Sequence, residues 1–203
     1  MTTEPAAGLS APPKTGRVEA IDLARALALL AMAHYHLIWD LETFGYLDPG
    51  TAGSGWPKFY ARSIASSFLF LVGVSLVLAH WPVFKPDKFL RRLATVVGAA
   101  LLVSLGTYVA FPDAFVYYGI LHSIAVSSVV ALLFLRLPAP IAFVAGAAAV
   151  ALPFYVVSPA FDPPWLIWTG LSERLPRSLD FVPFFPWFGP VLFGIAAGRL
   201  AKS

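Results

Sequence analysis

The stretch AIDLARALALLAMAHYHLIWDL, residues Ala20–Leu41, places ionisable side chains inside an otherwise apolar run. A helix needs about 20 consecutive apolar residues to cross the hydrocarbon core of a bilayer, and this run is long enough. An ionisable group in lipid is costly, so it needs either a partner or a function. The stretch therefore predicts a membrane-spanning helix whose polar side chains face other helices.

The composition of the whole chain supports this prediction. Of its 203 residues, 59% are hydrophobic and only 12% are charged, whereas about 25% of the residues in soluble domains are charged. With a mean hydropathy of +0.77, the chain is predicted to be an all-α integral membrane protein. The absence of cysteine excludes disulfides and thiolate chemistry. A net charge of +3 is too small to indicate a nucleic-acid partner.

Residues 1–16 are rich in Pro, Ala, Gly and Thr and are predicted to be a disordered cytoplasmic N-terminus. Residues 17–203 are predicted to form a single transmembrane domain, a bundle of about six helices. The predicted spans are Ala20–Leu41, Lys58–His80, Phe89–Phe111, Val116–Arg136, Ile141–Val157 and Pro183–Ala201. Most of the 14 lysines and arginines fall on the side of the membrane that holds the N-terminus. Both termini are therefore expected in the cytoplasm, and the chain is expected to be a multi-pass protein of the cell membrane. The lipid bilayer is then an expected partner, and the sequence is compatible with a homo-oligomer.

The polar residues of the first span share one side of the helix. Asp22, Arg25, Leu29, Met32, His36 and Asp40 recur at spacings of three and four residues, which places them on one stripe. Asp22 and Arg25 can pair within the membrane, and Asp40, one turn after His36, can orient its imidazole. His34 projects from the opposite side and is expected to be structural.

Two further polar residues are predicted to lie at the depth of His36. His122, in YYGILHSIAV, comes early in the fourth span, and Asp180, in LDFVPFFPWFG, comes just before the last. With Asp40, these residues would converge at one level, where histidines beside carboxylates can perform acid–base chemistry. Structural hydrogen bonds between helices explain the same residues without a reaction, and no ligand motif supports a metal site.

Aromatic and acidic side chains concentrate on the side opposite the termini. Two long loops, residues 43–57 and 158–182, lie there, and most of the six tryptophans fall on the same side. Aromatic loops above acidic groups suggest the roof of a binding site, although an interfacial belt explains part of the pattern. His80, beside Trp81 on the other side, is expected at the membrane interface.

Four blocks of the sequence resemble a known family. AIDLARALALLAMAHYHLIWDL, FLFLVGVSLVLA, YYGILHSIAV and LDFVPFFPWFGPVLFGIAAG look like the membrane core of the heparan-alpha-glucosaminide N-acetyltransferase catalytic-domain family, in the order of that family. The Asp-x-x-Arg opening and the Pro-Trp-Phe-Gly block make the resemblance fairly specific. Two features depart from the family: Ala26 follows Arg25 where glycine is usual, and the chain is much shorter than the lysosomal enzyme.

The resemblance implies transfer of an acetyl group from cytoplasmic acetyl-CoA to an amino sugar or similar glycan-type acceptor on the other side. It also implies a catalytic histidine near the outer end of the first span. His34 and His36 both lie there, and the stripe that His36 shares with Asp40 favours His36.

On this hypothesis, the CoA phosphates bind near Arg25, Arg91 and Arg92. His36 acts as a general base or carries the acyl group, and His122 stabilises the oxyanion or protonates the leaving group. Asp180, Trp168 and Trp187 hold the acceptor. The rival hypothesis is a transporter, flippase or proton-linked carrier that uses the same His/Asp cluster; the absence of inverted-repeat symmetry argues against it.

Overall fold

The computed structural model describes residues 19–202. Its elements are helical, and within this range the only β-type pairing is an isolated bridge between Tyr118 and Phe181. The helices are α1 (Glu19–Thr43), α2 (Gly55–His80), α3 (Pro86–Ala110), α4 (Ile120–Ala131), α5 (Ala139–Ala151), α6 (Pro153–Val156) and α7 (Phe184–Leu200). The prediction for residues 1–16 lies outside the described residues.

Four helices are long and apolar enough to cross a membrane: α1, α2, α3 and the stretch Ala139–Val156 that joins α5 to α6. Two shorter apolar helices, Ile120–Phe134 and Phe184–Leu200, accompany them. The structure thus confirms the all-helical class, and the chain is a membrane protein. Six spans and the direction of the termini remain predictions.

The fourth helix begins later than its apolar run predicts. The run was expected to span from Val116, but α4 begins at Ile120. The preceding residues bond to a distant segment instead, because Leu179 N donates to Ala114 O (2.8 Å) and Val182 N donates to Tyr118 O (3.1 Å). An apolar run does not reveal such a non-local pairing.

The core lies around α7, which packs most extensively against α2 and α5. Glycines allow the backbones of α2 and α7 to touch. A methyl group on Gly73 would overlap the carbonyl oxygen of Val191, and one on Gly194 would overlap that of Phe70. Small residues give helices in lipid the close packing that association there depends on.

Basic residues tie the helix ends together at one end of the bundle. The Arg199 guanidinium stacks 3.4 Å from the centre of the Trp81 ring and donates to Leu135 O (3.4 Å), while Lys202 Nζ donates to Leu78 O (3.4 Å). His80 is only 4% exposed, because the rings of Phe84 and Phe89 lie 5.2 and 5.8 Å from its own. Its place at the membrane interface stays a prediction.

Candidate functional site

Asp180 lies at the N-terminus of α4. The paired backbones of residues 114–118 and 179–182 hold it there, and its Oδ2 accepts a hydrogen bond from Ile120 N (2.8 Å). Gly119, the residue before the helix, has no side chain that could cap it. The carboxylate from sixty residues away takes that place, and a negative charge is favourable at the positive end of a helix.

Gly119 makes the approach of Asp180 possible. A methyl group at this position would overlap Asp180 Oδ2 and lie only 2.9 Å from Asp180 Cγ. The backbone of Gly119 has a φ of −93°, which any residue can adopt. Space for the carboxylate, rather than backbone freedom, is therefore the reason for glycine here.

His122 has a hydrogen bond at each ring nitrogen. Its Nδ1 accepts from Gly119 N (3.3 Å), so its Nε2 carries the proton and donates to Ser104 Oγ (3.2 Å). Ser104 in turn donates to Val116 O (2.7 Å). The sequence assigned oxyanion stabilisation or proton donation to His122, but this arrangement leaves neither nitrogen available and supports a structural role.

His36 has the opposite arrangement, because one of its nitrogens is available. Its Nδ1 donates to Met32 O (2.9 Å), which fixes the proton on Nδ1 and leaves the lone pair on Nε2. The side chain is exposed, and within residues 19–202 no hydrogen bond reaches Nε2. An imidazole oriented by a backbone carbonyl is suited to act as a base or a nucleophile.

Asp40 does not orient His36 as the spacing suggested. In the described part of the chain, no hydrogen bond or ion pair joins the two side chains. The carbonyl of Met32, four residues before His36, takes the predicted role of the carboxylate. Asp40 is left exposed, one turn further along α1.

His34 contacts α2, in line with its expected structural role. Its ring meets that of Tyr60 edge to face at 5.7 Å, and its Nδ1 lies 3.3 Å from the Tyr60 hydroxyl. That hydroxyl donates to Ala31 O (3.2 Å). The contact ties α1 to α2.

The carboxyl group of Asp180 interacts electrostatically with both His36 and His122. Burial raises the pKa of Asp180 above its ordinary value, and the Ile120 N–H and the nearby imidazoles of His122 and His36 partly offset this effect. His36, His122 and Asp180 are therefore close enough to interact electrostatically. In the described range, no hydrogen bond or ion pair joins the side chain of Asp40 to any of these three residues.

The two tryptophans assigned to the acceptor both pack against the hydrophobic core. The Trp168 ring also lies 5.7 Å from that of Tyr118 and 6.1 Å from that of Phe184. We call the group formed by His36, Tyr118, His122, Trp168 and Asp180 the outer layer, after the side of the membrane on which the sequence predicts it. The assignment of the two tryptophans to the acceptor stays a prediction.

The sequence analysis did not predict the contacts of several further residues near His36. Glu42 accepts from Gly50 N (2.7 Å) and Ala52 N (2.6 Å) with its two carboxylate oxygens, and Tyr35 donates to Ala52 O (3.2 Å). The first outer loop is thereby folded back onto α1 beside His36. Only the pairing of residues distant in the chain reveals these roles.

The basic end of the bundle carries an open groove of about 770 Å³. It is lined by Phe84, Lys85, Pro86, Asp87, Lys88, Arg91, Arg92 and Thr95. The groove thus includes two of the three arginines assigned to the cofactor.

Arg25 lies outside the lining of this groove. It pairs with Asp22 (Nη1 to Oδ1, 3.2 Å), as the spacing predicted. Its Nη2 also donates to Ser75 Oγ on α2. The positive charge of Arg25 lies close enough to Arg92 for the two guanidinium groups to repel each other.

The family comparison agrees with the four sequence blocks. A family model described as "Heparan-alpha-glucosaminide N-acetyltransferase, catalytic" matches residues 17–203, nearly the whole chain. No curated protein matched the chain, and no solved structure did.

Proposed function

Because this chain belongs to the heparan-alpha-glucosaminide N-acetyltransferase catalytic family, we propose that it transfers an acetyl group from acetyl-CoA to an amino sugar or similar acceptor. The observation that carries the proposal is the state of His36. Its Nδ1 is anchored on the Met32 carbonyl, its side chain is exposed, and it lies close enough to Asp180 for the two groups to interact electrostatically.

The donor would bind at the basic end. The groove lined by Lys85, Lys88, Arg91 and Arg92 has the size of a small-molecule site. Its cationic side chains suit the phosphates of CoA, since arginine forms paired hydrogen bonds with phosphate oxygens. The pantetheine arm would then extend along the bundle toward His36.

The acceptor would bind in the outer layer. Asp180 supplies a negative charge that can hold an ammonium group, and Trp168 offers an aromatic face for a sugar ring. Asp40, exposed and one turn from His36, can also meet a cationic acceptor. An amine is therefore the acceptor group that these side chains favour.

His36 can act in two ways. As a base, its Nε2 takes the proton of the acceptor amine while the nitrogen attacks the acyl carbonyl, the C–S bond breaks, and the proton passes to the thiolate. As a nucleophile, Nε2 itself attacks the carbonyl, and the C–S bond breaks to release the thiolate. The amine then attacks the same carbonyl, the C–N bond to the imidazole breaks, and the proton that the amine loses passes by way of Nε2 to the thiolate. Both routes need the lone pair on Nε2.

The direction of transfer follows from the topology that we propose. The basic end, with both termini, lies in the cytoplasm, and the outer layer faces the other side of the cell membrane. Acetyl-CoA then binds inside, and the acceptor binds outside.

The test compares two histidines that lie two residues apart on α1. Detergent-purified wild type, His36→Ala and His34→Ala are assayed with labelled acetyl-CoA and glucosamine. We expect His36→Ala to abolish transfer and His34→Ala to keep most of it, because the ring of His34 contacts Tyr60 on α2. Asp40→Asn should lose less than about tenfold, since the Met32 carbonyl orients His36; loss of a general base costs about 10²–10⁴-fold.

Size-exclusion profiles establish that each variant is folded. Wild-type turnover by a well-folded His36→Ala would refute the catalytic role of His36. A wild type that transfers no label to any amino sugar, but moves solute across vesicles, would favour the carrier instead.

A further inference from the structure

The hydroxyl of Tyr118 is buried without a hydrogen-bond partner. The residue is 7% exposed, and no group within residues 19–202 bonds to its Oη. Leaving a buried hydroxyl unpaired costs about 1–3 kcal/mol, so the position of this group calls for an explanation.

The ring that carries this hydroxyl is held rigidly in the outer layer. The Tyr118 carbonyl accepts from Val182 N (3.1 Å), and the next residue, Gly119, packs against Asp180. The ring lies between the imidazole of His122, at 5.8 Å, and the indole of Trp168, at 5.7 Å. The Tyr118 ring therefore belongs to the outer layer, with His122 and Trp168 as neighbours.

Two serines on α4 also have buried, unpaired hydroxyls, but their side chains can rotate to reach a partner. The hydroxyls of Ser123 and Ser127 are also buried and unpaired. A serine on a helix can bond to the carbonyl four residues earlier by rotating its side chain. A phenol has no such local partner, so Tyr118 is the residue whose unpaired hydroxyl points to a ligand.

We propose that the Tyr118 hydroxyl donates a hydrogen bond to the acyl carbonyl oxygen as that oxygen becomes negative during transfer. This inference rests on the proposed function. The role falls to Tyr118 because both nitrogens of His122 are already bonded. A donor fixed in a site without water stabilises an oxyanion strongly, since no reorganisation is needed.

The hydroxyl is buried in the resting protein, so on this proposal a neighbouring side chain has to move to admit the acyl group. Trp168 is half-buried, and it lies in a single 3₁₀ turn, Ile167–Thr169, within the second outer loop. Its ring lies 5.7 Å from that of Tyr118, which makes it the candidate for this movement.

The test replaces two adjacent tyrosines by phenylalanine. Tyr118→Phe removes an unpaired hydroxyl, whereas Tyr117→Phe removes one that donates to Pro164 O (2.7 Å). We expect Tyr118→Phe to lower kcat about 10²-fold, the order found for the loss of one oxyanion donor. Its KM for each substrate should equal that of the wild type and its Tm should not fall, because no bond is lost in the resting protein. The control should lose some Tm and keep kcat.

Three results would overturn this role. The first is that kcat and KM are both unchanged in Tyr118→Phe, and the second is a higher KM with kcat unchanged, which indicates ground-state binding. The third is a loss of Tm greater than that of Tyr117→Phe, which would show that the hydroxyl is bonded in the resting protein. A wild type that transfers no acetyl group would overturn the proposed function as well, whereas an active wild type beside an equally active Tyr118→Phe would overturn this role alone.

Discussion

At the scale of single residues, the two histidines of the outer layer differ in what their nitrogens bind. A backbone N–H can only donate, so Gly119 N makes Nδ1 of His122 an acceptor. A carbonyl can only accept, so Met32 O makes Nδ1 of His36 a donor. The neighbouring backbone thus determines that His36, and not His122, presents a free lone pair.

The ionisation of Asp180 gives a pH-dependent prediction. Burial raises its pKa in the folded protein. Folding thus favours the protonated form of Asp180. The stabilisation from the protonated carboxyl group is complete below the pKa of the unfolded chain and is lost as the pH rises through the pKa of the folded protein. Asp180→Asn keeps an oxygen for Ile120 N–H without the charge. We expect its Tm to exceed that of the wild type at pH 7 and to match it near pH 4, about the ordinary carboxyl pKa.

Asp162 provides a control of opposite sign. A hydrogen bond from Ser172 is the main cause that lowers the pKa of Asp162, so its contribution is present above the ordinary pKa and lost as the pH falls through the folded pKa. Asp162→Asn should therefore lower Tm at pH 7. Thermal unfolding of the purified variants between pH 4 and 8 measures both effects. A Tm of Asp180→Asn below that of the wild type at pH 7 would contradict the sign.

At the scale of elements, the start of α4 is held by the segment that directly precedes α7. Residues 178–182 bond to residues 114–120 through Leu179 N, Val182 N and the Asp180 carboxylate. The hydroxyl of Ser178 adds a bond to Phe115 O (2.9 Å). These contacts bring Asp180, Tyr118 and His122 into one layer.

Gly119→Ala tests this junction. The added methyl group overlaps the Asp180 carboxylate, so the carboxylate must move and the cap on Ile120 weakens. Forcing extra atoms into a packed site costs about 1–3 kcal/mol, and we expect a lower Tm with reduced acetyl transfer.

Gly106→Ala is the matched control for this variant. Nothing lies within 4 Å of a methyl group at Gly106, in the interior of α3. Alanine favours a helix over glycine by up to about 1 kcal/mol, so the control should match or exceed the wild type in Tm. Equal Tm values for Gly119→Ala and Gly106→Ala would show that Asp180 does not depend on the absence of a side chain.

At the scale of the whole molecule, charge separates along the bundle. Arg199 and Lys202 bond to the helix ends beside the groove that carries Lys85, Lys88 and Arg91. The Asp180 layer lies at the opposite end. This separation supports a donor site and an acceptor site on different sides of the membrane.

Labelling of single cysteines tests that topology on a chain without other thiols. Asp113 and Asp87 are both exposed, and they lie at opposite ends of α3. We expect an impermeant thiol reagent to label Asp113→Cys in intact cells and Asp87→Cys only after permeabilisation. The reverse pattern would place the basic groove outside and remove acetyl-CoA as the donor.

The sequence by itself determined the helical membrane class, the four long apolar helices and the Asp22–Arg25 pair. Each of these depends on spacing within one run of the chain, where helix geometry alone sets which side chains are neighbours. The stripe of α1 also singled out His36. It did not distinguish Asp40 from the Met32 carbonyl as the partner of His36, because both lie one turn from the ring and only the orientation of the ring decides between them.

The tertiary structure alone decided the composition of the outer layer. The cap of Asp180 on Ile120, the occupied nitrogens of His122 and the unpaired hydroxyl of Tyr118 all depend on contacts between distant parts of the chain. Spacing cannot predict such contacts, since they arise only when the segments before α4 and α7 are brought together by folding.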